Sequence, residues 1–515
     1  MITRRKVLTN IALGSALGGS SIANYLPFAL SPIFAQANLN QLNIPPQYEG
    51  EDVDKQKLFN LFLQKGTQSF FPNSKTSTLG INGNYLGPTL RFQRGDTVKL
   101  NVDNRIGESA SLHWHGFHLP PTMDGGPHQS IANNTVWSPE FEVVQFSGTY
   151  WYHSHMEGKS GEQVYRGLAG MIIVDDADEN LDLPNTYAVD DIPLIVQDRR
   201  FTDDFSFAYL NTYEDSVMGQ HGDVVLVNGT LNPVFLAATK FVRFRLLNAS
   251  NARNYNFTFE DQRLFSQISS DGGLLEAPVS LRSLELAPAE RADIVVQFNP
   301  GEEINLISQA MVPGFPVFPG AMSEMMRTLY SETLNILTIQ TNSQLEVNSE
   351  LPAQLNSIYK LPEAAATNTR QFLLSMGYGM RSGNDRGPGT GSRNGNGGGH
   401  GGGNFSINGR RMDMDFINER IKLNTIEVWE LANNSPMMHP FHIHNGQFQL
   451  LDRNRQPPPA NELGWKDTVT VGSGERVRII MRFTDYINES NPYMYHCHIL
   501  EHEDRGMMGQ FVIEE

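Results

Sequence analysis

The stretch "INGNYLGPT" at residues 81–89 precedes the alternating segment "TVKLNVDN" at residues 97–104. The same pair of patterns occurs twice more, as "VNGTLNPVF" (227–235) before "FVRFRLLN" (241–248) and as "INGRRMDM" (407–414) before "IEVWELAN" (426–433). Alternation of polar and apolar residues is typical of a β-strand with one buried face. Three copies of one short β pattern predict three related β domains.

The rest of the chain favours an all-β fold. Turn residues separate short apolar runs and long helical patterns are scarce, which favours antiparallel β-sandwiches of the Greek-key kind. We expect three domains, at residues 38–185, 186–348 and 349–515. Within the third, the Gly-rich stretch 384–404 is expected to form a flexible loop with a solvated His400.

Residues 1–37 resemble an export signal. Twin arginines, Arg4 and Arg5, precede a weakly apolar region, and Ala35-Gln36-Ala37 matches an A-x-A cleavage site. Gly, Ser and Pro interrupt the apolar region too often for a good membrane span. The alternative is an irregular N-terminal anchor. We expect a protein exported folded by the twin-arginine route, periplasmic or secreted, with no membrane span in its mature form.

Charge and cysteine content exclude some functions. The formal charge is −17, and removal of residues 1–37 takes away three cations and no acid, leaving −20. So strong an acidic excess argues against nucleic acid as a partner. The single cysteine, Cys497, rules out an internal disulfide, so this residue must be explained by burial or by chemistry.

Ten of the 14 histidines fall in four short clusters. These are "HWH" (His113, His115), "HSH" (His153, His155), "HPFHIH" (His439, His442, His444) and "HCHILEH" (His496, His498, His502). A lone H-x-H is weak evidence, because a satisfied core or surface pair usually explains it. In a strand, residues i and i+2 share a face, so each H-x-H delivers two imidazoles side by side. Four such pairs suit a cluster of several metal ions.

The middle residue of "HCH" faces away from its neighbours, so the Cys497 thiolate would belong to a separate site with a short covalent route to the cluster. His502 can return to the thiolate's side, where His439 can join it. One cysteine, two histidines and a weak, distant methionine form the set that selects blue copper. Zinc accepts Cys and His as well, but it has no redox chemistry. Met507 and Met508 are both axial candidates, and core packing is the alternative role.

The repeat also indicates where metal is absent. The stretch "TYWYHSH" (149–155) in the first domain parallels "PYMYHCH" (492–498) in the third, with Ser154 in place of Cys497. The first domain can therefore share the cluster but cannot build the thiolate site. The middle domain has no histidine in the corresponding stretch 249–259, so we expect it to act as a spacer. The eight-imidazole cluster should lie between the first and third domains, four imidazoles from each.

Together these motifs resemble the three-domain multicopper oxidases, which include laccases and bacterial copper-efflux oxidases. The resemblance covers nearly the whole mature chain, and the family pattern H-C-H-x3-H-x4-M is met in full from His496 to Met507. It implies cupredoxin-like domains and four copper ions, one type 1, one type 2 and a type 3 pair. The ligands it implies are His439, Cys497, His502 and Met507 for the blue type 1 ion, His113 and His442 for type 2, and His115, His153, His155, His444, His496 and His498 for the type 3 pair.

The resemblance also implies the reaction. A reductant would give electrons one at a time to the blue copper, they would pass through Cys497, and the cluster would reduce dioxygen to two waters. Asp124 and Glu503 match acidic positions that similar enzymes use for proton relay and for hydrogen bonds to ligands, so both are candidate catalytic residues beside Cys497. The alternative is that both acids are ordinary polar loop residues.

The reducing substrate stays open. The stretches "HWHGFHLPPTMDGGPHQ" (113–129) and "GWKDTV" (464–469) look closer to the copper-efflux oxidases than to fungal laccases. Those relatives often carry a methionine-rich insert where this chain has its Gly-rich stretch, and thioethers bind Cu(I). We expect a metal ion such as Cu(I), or alternatively a phenol. The methionines that could serve a soft ion, or pack in a core, are Met322, Met325, Met326, Met376, Met380, Met437 and Met438.

Two other classes of function are weighed against an oxidase. Exported cupredoxin proteins can act as copper-free scaffolds or division factors, but a scaffold would have no reason to keep all the cluster histidines, Cys497 and Met507. An electron carrier would need no cluster. We expect His118 and His128 to be structural or solvated, His221 to have no assigned task, and the protein to act as a monomer.

Overall fold

The computed structural model describes residues 39–311, 329–377 and 404–515. The predicted export signal, all but the last residue of the Gly-rich stretch, His400 and four of the methionines named above lie outside the described residues. Within them, strands dominate, and no helix is both long enough and apolar enough to cross a membrane.

The strands and helices are numbered in chain order. The first third contains β1 (Asn40–Gln41), β2 (Gln47–Tyr48), β3 (Glu51–Val53), β4 (Gln56–Gln68), β5 (Thr76–Ile81), β6 (Thr89–Gln93), β7 (Thr97–Asn104), β8 (His113–His115), β9 (Val136–Trp137), β10 (Glu140–Glu142), β11 (Gly148–His153), α1 (Ser160–Arg166) and β12 (Ala169–Asp175). The middle third contains β13 (Asp191–Arg199), α2 (Tyr213–Met218), β14 (Val224–Val227), β15 (Thr230–Leu231), β16 (Pro233–Thr239), β17 (Phe241–Asn248), β18 (Tyr255–Phe259), β19 (Phe265–Ser270), β20 (Gly273–Leu281), β21 (Ser283–Leu286), β22 (Arg291–Gln297), β23 (Glu303–Ser308) and β24 (Leu334–Glu346). The last third contains β25 (Asn368–Gly377), β26 (Asn404–Ile407), β27 (Glu419–Lys422), β28 (Thr425–Asn433), β29 (His439–Ile443), β30 (Phe448–Arg453), β31 (Thr468–Val471), β32 (Arg476–Phe483), β33 (Asn488–Cys497), α3 (Leu500–Glu503) and β34 (Met508–Glu514). Short 3-10 helices cover Pro121–Met123, Glu363–Ala365 and Ala460–Glu462.

The strands form three β-sandwiches, each with its own apolar core. The first packs the sheet β10-β7-β4-β3, with β5 and β9 attached, on the sheet β2-β6-β12-β11-β8. The middle one packs β1-β16-β24-β23-β18-β21 on β15-β14-β13-β17-β22-β19-β20. The third packs β26-β25-β28-β32-β30 on β27-β34-β33-β29-β31. The predicted all-β fold is thereby confirmed, while the domain boundaries stay a prediction; β1, assigned to the first domain, pairs with β16 of the middle sandwich.

The sheets are mixed, whereas the sequence favoured antiparallel ones. In each sandwich the first long strand pairs parallel with the strand after the N-G turn: β4 with β7, β13 with β17 and β25 with β28. Alternation with period two reports a half-buried strand and carries no information about strand direction, which is why the sequence could not reveal these pairs.

The asparagine of each N-G turn explains the first half of the repeat. Asn82, Asn228 and Asn408 have φ of 56°, 51° and 53°, a left-handed conformation that asparagine tolerates well. Each uses its side-chain amide to bridge two backbone groups of the neighbouring long strand. For Asn82, Oδ1 accepts from the Phe62 N–H at 2.6 Å and Nδ2 donates to the Asn60 carbonyl at 2.8 Å. This contact fixes the register of the turn in all three sandwiches.

A second asparagine ends the strand that follows each turn and shapes the approach to the histidines. Asn433 Nδ2 donates to the carbonyls of Met437 at 2.7 Å and Val471 at 3.0 Å. Asn104 and Asn248 make equivalent pairs of bonds at the ends of β7 and β17. In the third sandwich this bonding sets the loop that leads directly into β29, where the first histidine of "HPFHIH" lies.

Candidate metal centre

Two pairs of neighbouring strands position the cluster histidines. In the first sandwich β8 pairs antiparallel with β11, and His113 lies opposite His153. In the third sandwich β29 pairs antiparallel with β33, and His442 lies opposite His496. Opposite residues of an antiparallel pair share a face, so each strand pair directs its imidazoles to one side.

The eight imidazoles of the four H-x-H pairs meet between the first and third sandwiches, and all are buried. Within each of three groups the donor atoms lie within 4.8 Å of one another. The groups are His113, His115 and His442; His115, His153 and His498; and His155, His444 and His496. Each group draws on both sandwiches. The six histidines that the resemblance assigns to a copper pair divide into the second and third groups.

In the third group, three Nε2 atoms converge. Nε2 of His496 lies 3.2 Å from Nε2 of His155 and 3.3 Å from Nε2 of His444. Nδ1 of each ring faces an acceptor, namely Glu503 Oε1 for His155 (3.3 Å), Asp124 Oδ2 for His444 (2.6 Å) and the Cys497 carbonyl for His496 (3.2 Å). A neutral imidazole carries one proton, and these acceptors hold it on Nδ1. Three lone pairs therefore point at one another, which a bound cation would relieve.

His113 and His442 show the same orientation. Nδ1 of each donates to a main-chain carbonyl, of Asp124 and Asp467 respectively, both at 2.8 Å. Neither Nε2 has a hydrogen-bond partner among the described residues, and the same holds there for both nitrogens of His498. Buried polar atoms in proteins nearly always have partners, so these unpartnered nitrogens fit a site that binds metal ions.

His115 is turned the other way round. Its Nε2 lies 3.0 Å from Asp467 Oδ1, and its Nδ1 faces Nε2 of His153 at 3.3 Å. Nδ1 of His153 donates to the Ser154 carbonyl at 2.9 Å. His115 would thus bind an ion through Nδ1. Two imidazole nitrogens bound at about 2.0 Å to one tetrahedral ion lie roughly 3.3 Å apart, so the spacing fits a shared metal.

Burial sets the protonation of the cluster. It lowers the pKa of most of these imidazoles well below the usual value, and that of His153 to about 3. The neighbouring imidazoles lower these values further, because adjacent positive charges repel. At neutral pH the rings of His113, His115, His153, His442, His444 and His498 are therefore neutral.

Cys497 lies in a separate buried site with the remaining two histidines. Nδ1 of His439 is 3.3 Å and Nδ1 of His502 is 3.8 Å from Sγ. Nε2 of His439 donates to the Ser435 hydroxyl at 2.7 Å, and Nε2 of His502 to the Val217 carbonyl at 2.9 Å. Both Nδ1 lone pairs are thus turned toward the sulfur. Because Val217 lies in α2, the middle sandwich covers this site.

The Cys497 thiol would not ionise without a nearby cation. Burial raises its pKa, whereas burial lowers the pKa of His502 to about 3 and that of His439 well below its usual value. Two neutral imidazoles cannot stabilise a thiolate by charge. A metal ion can, and it deprotonates a coordinating thiol outright.

Strand pairing distinguishes the two methionines after α3. Met508 lies opposite His496 in the pairing of β33 with β34, so it shares the cluster's face of that strand. Met507 is one residue earlier, and its carbonyl accepts from the Cys497 N–H at 3.0 Å. Met507 is fully buried and packs in the same core as Cys497. Of the two methionines, Met507 is therefore the one on the side of the Cys497 thiol.

Asp124 reaches the cluster from the loop after the 3-10 helix Pro121–Met123. The adjacent Gly125 has φ +77°, and a Cβ there would lie 1.8 Å from the Leu112 carbonyl oxygen, so no other residue fits without moving the backbone. Asp124 is 2% exposed. Its carbonyl and its carboxylate bind two different imidazoles, while Oδ1 accepts no hydrogen bond from the described residues.

Glu503 reaches the cluster from α3, next to His502. Its Oε1 lies 3.3 Å from Nδ1 of His155 and its Oε2 3.1 Å from Nδ1 of His496, and the side chain is 2% exposed. Burial opposes ionisation of this carboxyl, but the two imidazoles outweigh it and hold its pKa well below the usual value. Adjacent residues of one short helix thus serve different sites.

Three family models described as multicopper oxidase match residues 63–179, 205–309 and 389–515. The chain is 34% identical to Multicopper oxidase mco of Staphylococcus haemolyticus over 481 residues, which cover 92% of each chain. The chain belongs to the multicopper oxidase family. The cupredoxin-like fold expected from the sequence is confirmed by these relationships and by the three sandwiches.

Two further relatives differ in their descriptions. This multicopper oxidase chain is 35% identical to Cell division protein FtsP of Photorhabdus laumondii over 487 residues, 94% of each chain. Among solved structures, the laccase-like multi-copper oxidase CueO from Ochrobactrum sp. matches with a TM-score of 0.79 at 32% identity, covering 92% of this chain and 100% of that one. That protein is described as having oxidase activity towards lignin model compounds and lignosulfonate.

Sequence reasoning missed several groups that orient the histidines of this multicopper oxidase chain. Asp467 was noticed only as part of "GWKDTV", although an acid in so specific a motif was a signal. The main-chain carbonyls of Ser154 and Val217 carry no sequence signal, because any residue type supplies a carbonyl. The Ser435 hydroxyl belongs to no motif and carries none either. Their positions depend on how the strands pack.

The three described histidines outside the clusters have structural contacts. His118 Nδ1 lies 2.9 Å from the Asn445 carbonyl, and His128 Nε2 lies 2.8 Å from Gln510 Oε1, so both link the first and third sandwiches. His221 Nδ1 donates to the Gly219 carbonyl at 3.0 Å within the middle sandwich.

Proposed function

We propose that this chain is a copper-loaded oxidase that couples one-electron oxidation of a reducing substrate to the four-electron reduction of dioxygen to water. It would hold four copper ions. Their ligands would be His439, Cys497, His502 and Met507 for the blue ion, His113 and His442 for the lone cluster ion, and His115, His153, His155, His444, His496 and His498 for the coupled pair.

The observation that supports this most strongly is the convergence of buried lone pairs. In the group of His155, His444 and His496, every Nδ1 faces an acceptor. The Nε2 of His496 lies 3.2 Å from that of His155 and 3.3 Å from that of His444, so the three Nε2 atoms converge. Such an arrangement is unfavourable unless a cation binds the nitrogens. The combination of a buried thiol, two Nδ1 atoms and a methionine selects copper over zinc at the second site.

The chain itself connects the two sites. Copper, when bound, would supply the one-electron redox steps and the activation of dioxygen. Cys497 is covalently one residue from His496 and from His498, so electrons leaving the sulfur have a path through a few bonds to two different groups of the cluster. The buried surroundings exclude bulk water from this path.

Asp124 and Glu503 would handle protons beside the cluster. Glu503 lies 3.1–3.3 Å from Nδ1 of two rings, and its negative charge would favour the proton on those nitrogens, so that the other nitrogen of each ring faces the ions. Asp124 Oδ1 accepts no hydrogen bond from the described residues and lies 3.5 Å from Nδ1 of His113, so it is free to take up a proton and pass it on. Both acids lie beside cluster imidazoles, so each would be placed to supply protons at the cluster.

We propose a metal ion such as Cu(I) as the reducing substrate, with phenols as the alternative. Met438 directly precedes His439 and is half-buried, and its Sδ contacts Asn254 Nδ2 at 2.6 Å. A thioether at the edge of the blue site suits a soft ion. Met437 is buried in the core and is unsuited to that role. The oxidase activity of the Ochrobactrum enzyme towards lignin model compounds favours the phenol alternative.

Oxygen uptake by the copper-loaded protein lacking residues 1–37 tests the substrate. It is offered Cu(I) under conditions that suppress autoxidation, or a dimethoxyphenol with and without added Cu(II). Rapid uptake with Cu(I), or phenol oxidation only when Cu(II) is present, is the expected result, and Met438→Leu should slow the Cu(I) reaction. Fast phenol oxidation without added metal, together with slow Cu(I) turnover, would establish a laccase instead.

A second candidate function follows from the similarity to Cell division protein FtsP, whose name refers to cell division and not to oxidation. In that case the chain would act through binding to other proteins. A protein that takes up no copper and consumes no oxygen with either substrate would favour this second function. For both candidate functions the proposed location is the periplasm or the cell exterior. This proposal rests on the twin arginines alone.

A further inference from the structure

Arg291 is a fully buried cation at the point where the three sandwiches meet. It begins β22 of the middle sandwich, and its guanidinium donates to both carboxylate oxygens of Asp467 in the third sandwich, each at 2.7 Å. Nε donates to the Thr149 carbonyl of β11 in the first sandwich at 3.1 Å. Nη2 also donates to the Asp271 carbonyl at 2.7 Å. One side chain thus bonds to all three sandwiches.

Asp467 carries this contact to the cluster. Its Oδ1 accepts from Nε2 of His115 at 3.0 Å, and its carbonyl accepts from Nδ1 of His442 at 2.8 Å. Thr468 Oγ1 supports the same carboxylate oxygen at 2.9 Å. Two imidazoles from different sandwiches are therefore oriented by one residue, and that residue is fixed by Arg291.

The side chains of Arg291 and Asp467 are tightly packed. Gly116, which follows the "HWH" motif, has φ +87°, and a Cβ there would lie 2.5 Å from Asp467 Oδ2 and 3.0 Å from Arg291 Nη2. Asp467 and Arg291 are both fully buried. A buried carboxylate that loses its cation is strongly disfavoured, so Asp467 would move or take up a proton if Arg291 were removed.

We propose that Arg291 is a positioning residue for the metal cluster: through Asp467 it holds the proton of His115 on Nε2, so that this ring presents Nδ1, and it sets the orientation of His442. The inference rests on the proposed function for its effect on copper. It assigns the middle sandwich a task at the cluster beyond that of a spacer.

Histidine nitrogen NMR on the metal-free chain tests the tautomer without copper. In the unaltered protein His115 should carry its proton on Nε2, whereas His113 and His442 should carry theirs on Nδ1. In Arg291→Met and in the milder Arg291→Lys the His115 signal should shift toward the other tautomer or split. An unchanged His115 tautomer in both variants would overturn the proposal.

Arg243 offers a matched control in the same sandwich. It is also buried and its guanidinium binds Asp293, but no cluster imidazole is among its hydrogen-bond or ion-pair partners in the described residues. Arg243→Lys should lower the unfolding temperature as Arg291→Lys does, yet leave the His115 signal unchanged. If both variants shift that signal equally, the effect is a general loosening and the positioning role is wrong.

Copper binding supplies the second readout. Arg291→Lys should weaken copper binding at the cluster by about 10–100-fold, as loss of groups that orient ligands does, while the blue band of the Cys497 site is retained. Cluster binding as tight as in the unaltered chain would contradict the proposal. If the unaltered chain binds no copper, the proposed oxidase function fails, and the tautomer measurement still decides the role of Arg291.

Discussion

Replacement of Glu503 by glutamine removes one negative charge at the cluster and little volume. The carboxylate lies 3.3 Å from Nδ1 of His155 and 3.1 Å from Nδ1 of His496, close enough to attract a proton on either nitrogen. A glutamine keeps one acceptor oxygen but turns an amide NH2 toward the other ring's N–H. One of the two imidazoles therefore loses the group that holds its proton on Nδ1.

The expected magnitude follows from these two ion-pair contacts. A hydrogen bond to a charged group contributes about 1.5–3 kcal/mol and a neutral one about 0.5–1.5 kcal/mol. Because both contacts fall short of hydrogen-bond geometry, values near the lower ends of these ranges apply, and we expect a loss of about 2 kcal/mol in total. At about 1.4 kcal/mol per factor of ten, copper binding to the cluster should weaken by roughly 10–100-fold.

A competition titration with a copper chelator measures this loss, and dioxygen uptake measures the accompanying fall in turnover. Glu501→Gln is the matched control, because Glu501 is equally buried in α3 but accepts from Tyr209, Gln220 and Asn251. The control should lose stability and keep its copper. Glu503→Gln with unchanged copper affinity, or Glu501→Gln with an equal loss, would refute the reasoning.

Three further outcomes are expected. Cys497→Ser should abolish the blue band and dioxygen uptake while the metal-free protein still folds, as circular dichroism would report; a residual blue band would contradict the assignment of the thiolate. Met507→Leu should retain the blue band and shift the reduction potential, whereas Met508→Leu should leave the potential unchanged, and the reverse pattern in a redox titration would exchange their roles. The metal-free chain should lose stability as the pH falls from about 6.5 to 4. Burial, and to a lesser extent the positive charge of Arg253, lowers the pKa of His221 to about 4. In this pH range His221 therefore binds a proton only in the unfolded chain, which favours unfolding. Urea unfolding measures the free energy of unfolding at each pH. In His221→Gln this free energy should fall by up to about 3 kcal/mol less between about pH 6.5 and 4, and an unchanged fall would assign the acid sensitivity to other groups.

The sequence was most informative where function depends on local spacing. The three N-G turns predicted three sandwiches because each asparagine takes a left-handed conformation and bridges two backbone groups of the neighbouring long strand. The H-x-H pairs predicted shared faces because strand geometry alone decides which side a residue occupies. Strand direction, by contrast, depends on which sheet the chain enters next, so the parallel pairing of β4 with β7 was out of reach.

The same distinction holds for the site. The candidate ligand histidines could be identified from the sequence because each belongs to a compact motif, and Asp124 and Glu503 because they lie close to such motifs. Arg291 and Asp467 could not be paired, since they are 176 residues apart and meet only when the middle and third sandwiches pack. The sequence therefore predicted a passive middle domain, although its α2 covers the Cys497 site and its β22 supports the cluster.

Copper content, measured on the full chain together with its visible spectrum, tests the central claim most directly. The metal-free protein is loaded with copper, freed of excess, and analysed for metal per chain before and after addition of a reductant in air. We expect about four copper ions per chain, a blue band that bleaches with the reductant and returns with dioxygen, and no such band in Cys497→Ser. A folded chain that retains no copper and shows no blue band would contradict the account.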